Sequence, residues 1–188
     1  ALRNPAGRVS IHRLYQDLRS QGHAIGKDAV HAMVGHLIDA FLISAVSIAT
    51  ESERQRNSNP RKIYPSDPGL ISAFAASGRA NAGHALETVV FHELDRRDAE
   101  ISYVKCGGDL EVDFLARFPD GSEELIQVCA DLSDPATHAR ELRAIEAAAD
   151  LHPQATRRLL VLNRDAMDGA KPPPELTIEP ASDWILRR

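Results

Sequence analysis

The chain has 188 residues and a mass of 20.6 kDa, with 43% hydrophobic and 26% charged residues. This is an ordinary composition for a globular protein, and the length allows one large domain or two small ones. The net charge of -5 and the pI near 5.9 exclude a surface that binds nucleic acid throughout, but they allow a local basic patch. No apolar run approaches the roughly 18 residues that a membrane span requires, and we expect no membrane partner. Because the first residue is alanine and not an initiator methionine, we expect a processed chain or an excised fragment.

The cysteines and histidines point away from metal chemistry of the zinc type. Cys106 and Cys129 lie in strand-like segments without C-x-x-C spacing, and they could pair only if the strands aligned them. We expect two reduced, buried thiols in a cytoplasmic protein. His92-Glu93 begins like H-E-x-x-H, but Arg96 stands where the second histidine belongs, so a zinc hydrolase is not predicted.

The first 76 residues show helical periodicity followed by strand-like alternation. Apolar positions three or four apart predict helices, and Ser10 is available to cap the first one. The predicted elements are a helix over 9–21, a helix over 27–41, a strand over 42–48, a polar loop over 50–60, a returning strand over 61–64 and a short helix over 70–76. Helices followed by a β-hairpin are typical of a winged-helix domain, which we predict for residues 1–76.

The second half alternates helices and strands after a small, polar linker over 77–83. The predicted elements are a helix over 84–97, strands over 101–106, 111–118 and 125–132, a helix over 135–151, a strand over 158–163, a proline-rich loop over 171–174, and a weak closing pair of strands over 176–178 and 184–186. This order predicts an α/β (α+β) domain over 77–188, with a mixed sheet flanked by helices.

Polar residues of this domain are expected to form a cleft on an apolar sheet. On a helical wheel Glu87 lies in the apolar stripe of its helix, so it requires a partner. Asp113 alternates with the apolar residues of its strand, as Gln127 and Cys129 do in the next strand. A hairpin between these two strands would bring Asp113 beside Gln127 and Cys129.

Asp113, Glu87 and the Gln127 carbonyl together offer the hard oxygen ligands that Mg²⁺ or Mn²⁺ prefers. Phosphodiester hydrolysis also uses a cation to stabilise the developing negative charge. Cys129 cannot supply that charge, and Lys105 on the preceding strand is the candidate replacement. The alternative is a set of polar residues on a solvated sheet face.

A basic segment in the first domain is a candidate nucleic-acid surface. Its cations surround the sequence Asn-Ser-Asn at 57–59, and phosphate binding requires such cations together with amide donors. Acidic neighbours offset part of this charge, and a solvated hairpin or a surface for another domain is the alternative. The candidate residues are Arg54, Arg56, Arg61 and Lys62, with Lys27 and His31 from the second helix.

Taken together, these segments resemble the C-terminal region of a large group of prokaryotic AAA-type ATPases. The resemblance covers about residues 8–165 and is carried by 27–31, 39–42, 59–64, 67–70, 86–87, 111–114, 127–129, 132–135 and 140–141. It implies a winged helix and a restriction-endonuclease-like domain of the PD-(D/E)XK type, of unknown function, downstream of a P-loop ATPase. Glu87, Asp113 and Gln127 match the acidic positions of the nuclease pattern, and Cys129 departs from it at the lysine. The chain has no G-x-x-x-x-G-K-[ST], so no ATP site is expected in it.

From these residues we expect a non-catalytic module that docks onto DNA or a protein partner and supports the upstream ATPase domain. A weak metal-dependent nuclease and a purely protein-interacting module are the alternatives.

Overall fold

A computed structural model describes residues 8–74, 82–167 and 172–187, of which 72–74 are described by their backbone alone. The chain divides into two compact units, Ala1–Ala80 and Asn81–Arg188, called here the N-terminal and the C-terminal unit. Most of the predicted linker, 77–81, lies outside the described residues, as does Lys171. No helix among the described residues is long and apolar enough to cross a bilayer.

In its described residues, 8–74, the N-terminal unit combines four helices with a three-stranded antiparallel sheet of order β1-β3-β2. Its elements are β1 (Arg8–Val9), α1 (Ile11–Ser20), α2 (Lys27–Asp39), β2 (Ile43–Ile48), α3 (Glu53–Ser58), β3 (Arg61–Pro65) and α4 (Gly69–Phe74). Ser10 caps α1 by accepting a hydrogen bond from the Arg13 amide. Val9 pairs with Arg61 in the sheet, so the predicted helix loses its first residue to a strand.

The predicted loop over 50–60 contains a helix that the apolar pattern did not indicate. Ser52 caps α3 by accepting a hydrogen bond from the Gln55 amide, and the Thr50 hydroxyl donates to the Gln55 side chain over 2.8 Å. None of the residues of α3 is buried. Hydrogen bonds at its start therefore stabilise this helix. Because the helix has no apolar face, its sequence has no apolar periodicity that predicts a helix.

The C-terminal unit is built on a mixed sheet of order β4-β5-β6-β7-β8, antiparallel from β4 to β6 and parallel from β6 to β8. The overall architecture is mixed α+β, as predicted. The elements are α5 (Ala82–Arg96), β4 (Glu100–Lys105), β5 (Glu111–Arg117), β6 (Glu123–Val128), α6 (Pro135–Leu151), β7 (Thr156–Val161), a 3-10 turn (Asp165–Met167), β8 (Leu176–Pro180) and α7 (Ala181–Ile185).

Helices cover both faces of this sheet. Consecutive residues such as Phe114 and Leu115 are fully buried although their side chains point to opposite faces. α6 packs against β5 and β6, whereas α5 contacts α7, which packs against β7 and β8. The two largely apolar faces account for the core of this unit.

The strand predictions for residues 129–132 and 184–186 were wrong. β6 ends at Val128. The Cys129 amide still donates to the Leu160 carbonyl (2.9 Å) as part of the pairing with β7, but the Leu132 amide donates to the Ala166 carbonyl (3.1 Å) in the 3-10 turn. Residues 184–186 do not form a closing strand. Trp184 lies in α7 and is buried under the Arg97 guanidinium, 4.4 Å from the centre of the indole.

Candidate functional site

The polar cluster predicted in the C-terminal unit forms at the point where β5 and β6 separate. Backbone pairing between these strands runs from Arg117 opposite Glu123 to Phe114 opposite Ile126. Beyond it, side chains replace the backbone partners. Asp113 Oδ2 accepts a hydrogen bond from the Val128 amide (2.9 Å), and Gln127 Oε1 accepts one from the Asp113 amide (3.1 Å). Asp113 and Gln127 thus meet, as the predicted hairpin required.

Glu141 on α6 completes this cluster. Gln127 Nε2 donates to Glu141 Oε2 over 2.7 Å, and the Arg140 guanidinium donates twice to Glu141 Oε1, over 2.5 and 3.1 Å. Glu141 is 4% exposed, and these three donors compensate its buried charge. Asp113, Gln127, Arg140 and Glu141, together with Cys129, are called the carboxylate cluster below.

The helical spacing of apolar residues along α6 indicates in the sequence that Glu141 is buried. Glu141, Ala144, Ile145 and Ala148 are buried at helical spacing along α6. A glutamate in the first position of such a stripe points toward the sheet, and burial of its charge requires donors. The resemblance included residues 140–141, but their role in the cluster depends on the contact with Gln127.

Cys129 is half-buried at the edge of the cluster, and its thiol donates to the Asp131 carbonyl over 3.1 Å. Burial raises the pKa of this thiol, and the charge of Glu141 raises it further. The neutral thiol therefore supplies no charge of either sign. Arg140 is the cation of this region, and its hydrogen bonds with Glu141 raise its pKa, with a smaller contribution from the charge of Asp113.

The other two predicted site residues lie on α5 and β4. Glu87 is 8% exposed on α5, which packs against β4 and β6. Lys105 ends β4 opposite Glu111 and has an exposed side chain. Glu87, Asp113 and Gln127 are all buried, which excludes a solvated sheet face for these three residues.

Two of the oxygen atoms proposed for a metal accept hydrogen bonds from the backbone. Asp113 Oδ2 accepts from the Val128 amide and Gln127 Oε1 from the Asp113 amide. Within the described ranges, no group of three or more His, Cys, Asp or Glu side chains is arranged to hold a metal ion.

A second candidate site is a cleft of about 570 Å³ within the N-terminal unit, called here the basic cleft. Its basic side chains come from α1, α2 and β3, and its amide and hydroxyl groups come from Ser10 ahead of α1, from the end of α3 and from the residue that follows. None of its described lining residues is acidic. The basic lining residues are His12, Lys27, His31 and Arg61, and the neutral polar ones include Ser10, Asn57, Ser58 and Asn59.

The predicted nucleic-acid residues divide into three groups. Lys27, His31 and Arg61 line the basic cleft. Arg54 and Arg56 lie outside it on the exposed helix α3, where Arg56 donates to the Thr50 carbonyl over 3.0 Å. Lys62, by contrast, is only 2% exposed in the described structure. The strand alternation of β3 turns Arg61 outward and Lys62 inward.

Comparison with known proteins shows one relative and no family. No family model matches the chain, and no solved structure matches it with significance. "Uncharacterized protein MJ1544" of Methanocaldococcus jannaschii is 32% identical over 147 residues, which is 76% of this chain and 32% of that protein. The chain thus spans about a third of the length of this curated relative.

Proposed function

We propose that this chain is a non-catalytic module that docks onto nucleic acid through its N-terminal unit. The observation that carries the proposal is the basic cleft, where His12, Lys27, His31 and Arg61 and several neutral polar groups surround one concave surface with no acidic residue among its described lining residues. Phosphate groups are bound by such a combination of cations and hydrogen-bond donors. In this proposal the N-terminal unit acts as a winged helix.

The carboxylate cluster supports a scaffold over a nuclease. A metal-dependent nuclease needs free carboxylate oxygens for its metal and a cation near the scissile phosphate. Here one carboxylate oxygen of Asp113 and the amide oxygen of Gln127 accept hydrogen bonds from backbone amides, and Arg140 is engaged with Glu141. The C-terminal unit would keep the framework of a nuclease-like domain without its chemistry.

The test is a binding titration with fluorescence anisotropy, using a labelled DNA of mixed sequence. We expect the affinity to fall steeply between about 50 and about 200 mM salt, because phosphate contacts release counterions. The double variant Lys27→Ala, Arg61→Ala should bind more weakly and with a shallower salt dependence. Arg13→Ala is the matched control, since Arg13 is exposed on α1 outside the cleft. Absence of binding at the lowest salt would refute the proposal.

A protein partner is the second candidate, and the outer side of α2 favours it. Met33 and Leu37 are 57% and 38% exposed, and Phe41, directly after the helix, is 84% exposed with a φ of 55°. A bulky residue in this strained conformation with no packing in return suggests a partner. Following the resemblance, that partner would be the ATPase domain of a longer polypeptide. Binding of this domain that Phe41→Ser abolishes would support it.

A further inference from the structure

We propose that the basic cleft takes a nucleotide of a single-stranded nucleic acid, and that duplex DNA is the poorer ligand. The inference rests on the proposed function and specifies its ligand. It follows from the size of the cleft, from the two sides of α2 and from the chemistry of the lining.

The cleft has the size of a site for one small ligand. Its volume of about 570 Å³ lies within the range of pockets that enclose a molecule of drug size. An unpaired nucleotide can enter such a space with its base and leave its phosphate at the rim. A base pair inside a duplex cannot enter, so a duplex would touch only the rim.

Lys27 and His31 of α2 face the cleft. Lys27, His31, Val34, Gly35 and Ile38 line the cleft and recur on one helical face. The rest of the helix surface exposes Met33 and Leu37 together with His36. Groove recognition requires hydrogen-bonding side chains on the helix face that meets the base edges, and Met33 and Leu37 do not supply them. Lys27 and His31 are therefore placed for a ligand inside the cleft.

The lining can hold both parts of a nucleotide. Val9, Val34, Ile38 and Ile63 provide an apolar surface for a base, and the imidazoles of His12 and His31 provide flat rings for stacking. The His12 ring is already positioned by a hydrogen bond of 2.9 Å with Gln16. Lys27 and Arg61 are exposed cations that can pair with the phosphate, and Asn57 and Ser58 offer further hydrogen bonds.

Gly35 allows the cleft to be filled without removal of any charge. A Cβ atom built on Gly35 meets nothing within 4 Å, and leucine is a better helix former than glycine. Gly35→Leu should therefore fold while occupying the space for the base. Ala32→Leu is the matched control, because Ala32 is exposed on α2 and does not line the cleft.

The experiment compares a labelled single-stranded 12-mer with the duplex of the same sequence, using the full chain. We expect the single strand to bind at least about tenfold more tightly, and Gly35→Leu to remove most of this difference, as expected for the loss of one stacked base. Ala32→Leu should match the wild type. Equal or tighter binding of the duplex, or a preference unchanged by Gly35→Leu, would overturn the inference and leave nucleic-acid docking standing. Absence of binding to both DNAs at low salt would overturn docking as well.

Discussion

Replacement of Gln127 by glutamate, the residue that the PD-(D/E)XK pattern has at this position, should destabilise this protein. The carboxamide of Gln127 is both an acceptor and a donor of hydrogen bonds. Its oxygen accepts one from the Asp113 amide, and its nitrogen donates one to Glu141 over 2.7 Å. In Gln127→Glu the oxygen that accepts from the Asp113 amide remains, but the amide nitrogen that donates to Glu141 is replaced by a carboxylate oxygen. Both positions are buried, at 6% and 4% exposure. Two charged carboxylates in contact there repel each other strongly.

The size of the effect is limited by proton uptake. The pair can escape repulsion if one carboxyl group binds a proton and donates it to the other, which restores the hydrogen bond. Holding a proton at pH 7 on a group with an ordinary pKa of about 4.3 requires about 2.7 × 1.36, or roughly 3.7 kcal/mol. This is the ceiling for the loss of unfolding free energy. Because the pKa is raised in the folded state, the loss shrinks by about 1.4 kcal/mol per unit as the pH falls toward 4.3.

Urea denaturation at several pH values measures this loss. The matched control is the double variant Gln127→Glu, Glu141→Gln, which exchanges the carboxylate and the carboxamide. It should recover most of the stability at pH 7, because one donor and one charge are again in contact. Equal stability of Gln127→Glu and wild type at pH 7 would refute the contact between Gln127 and Glu141. A loss that does not depend on pH would refute the electrostatic explanation.

Three further predictions concern other parts of the C-terminal unit. Since burial raises the pKa of Cys129, the rate of its alkylation should increase with pH, with a midpoint above the ordinary pKa of 9.0. Mass spectrometry of the modified peptide measures this rate, and full reaction of the thiol at pH 7 would contradict the prediction. Burial lowers the pKa of His152, so the unfolded chain takes up the proton at a higher pH than the folded chain does. The free energy of unfolding should therefore decline as the pH falls below 6.5. Urea denaturation at about pH 7.5 and about pH 5.5 should show a smaller decline in His152→Gln. Arg97→Met removes a hydrogen bond to Glu93, one to the Trp184 carbonyl and the guanidinium over the indole. We expect it to lower the free energy of unfolding by about 1–3 kcal/mol. Arg96 is more exposed, so Arg96→Met should lower this free energy less, and equal losses in urea denaturation would contradict the role of Arg97.

The sequence was sufficient for most elements because their periodicity reflects burial. The largely apolar β5 is buried on both faces, the apolar stripe of α6 records which of its side chains enter the core, and α6 has the predicted bounds of Pro135–Leu151. Helix α3 could not be found this way, since none of its residues is buried. The strand predicted over 184–186 was wrong because Trp184 packs equally well from a helix, and apolar character alone does not distinguish the two.

The candidate site was predictable only in part. Alternation along β5 and β6 was enough to place Asp113 beside Gln127, because both positions follow from a period of two. Glu141 joins them from 14 residues further along the chain, and that contact depends on how α6 crosses the sheet. The basic cleft likewise combines His12, Lys27 and Arg61 from three separate elements. Spacing within one element does not reveal such a combination.

The most direct test of the docking module is one titration of a labelled single strand with the full chain, carried out with Mn²⁺ across a series of salt concentrations. We predict binding whose logarithm falls linearly with the logarithm of the salt concentration, a smaller slope in Lys27→Ala, Arg61→Ala, and a strand that stays intact throughout. Cleavage of the strand that disappears in Asp113→Ala would contradict the account, because it would show a working nuclease in the carboxylate cluster. Failure to bind even at the lowest salt would contradict its other half, the basic cleft as a nucleic-acid site.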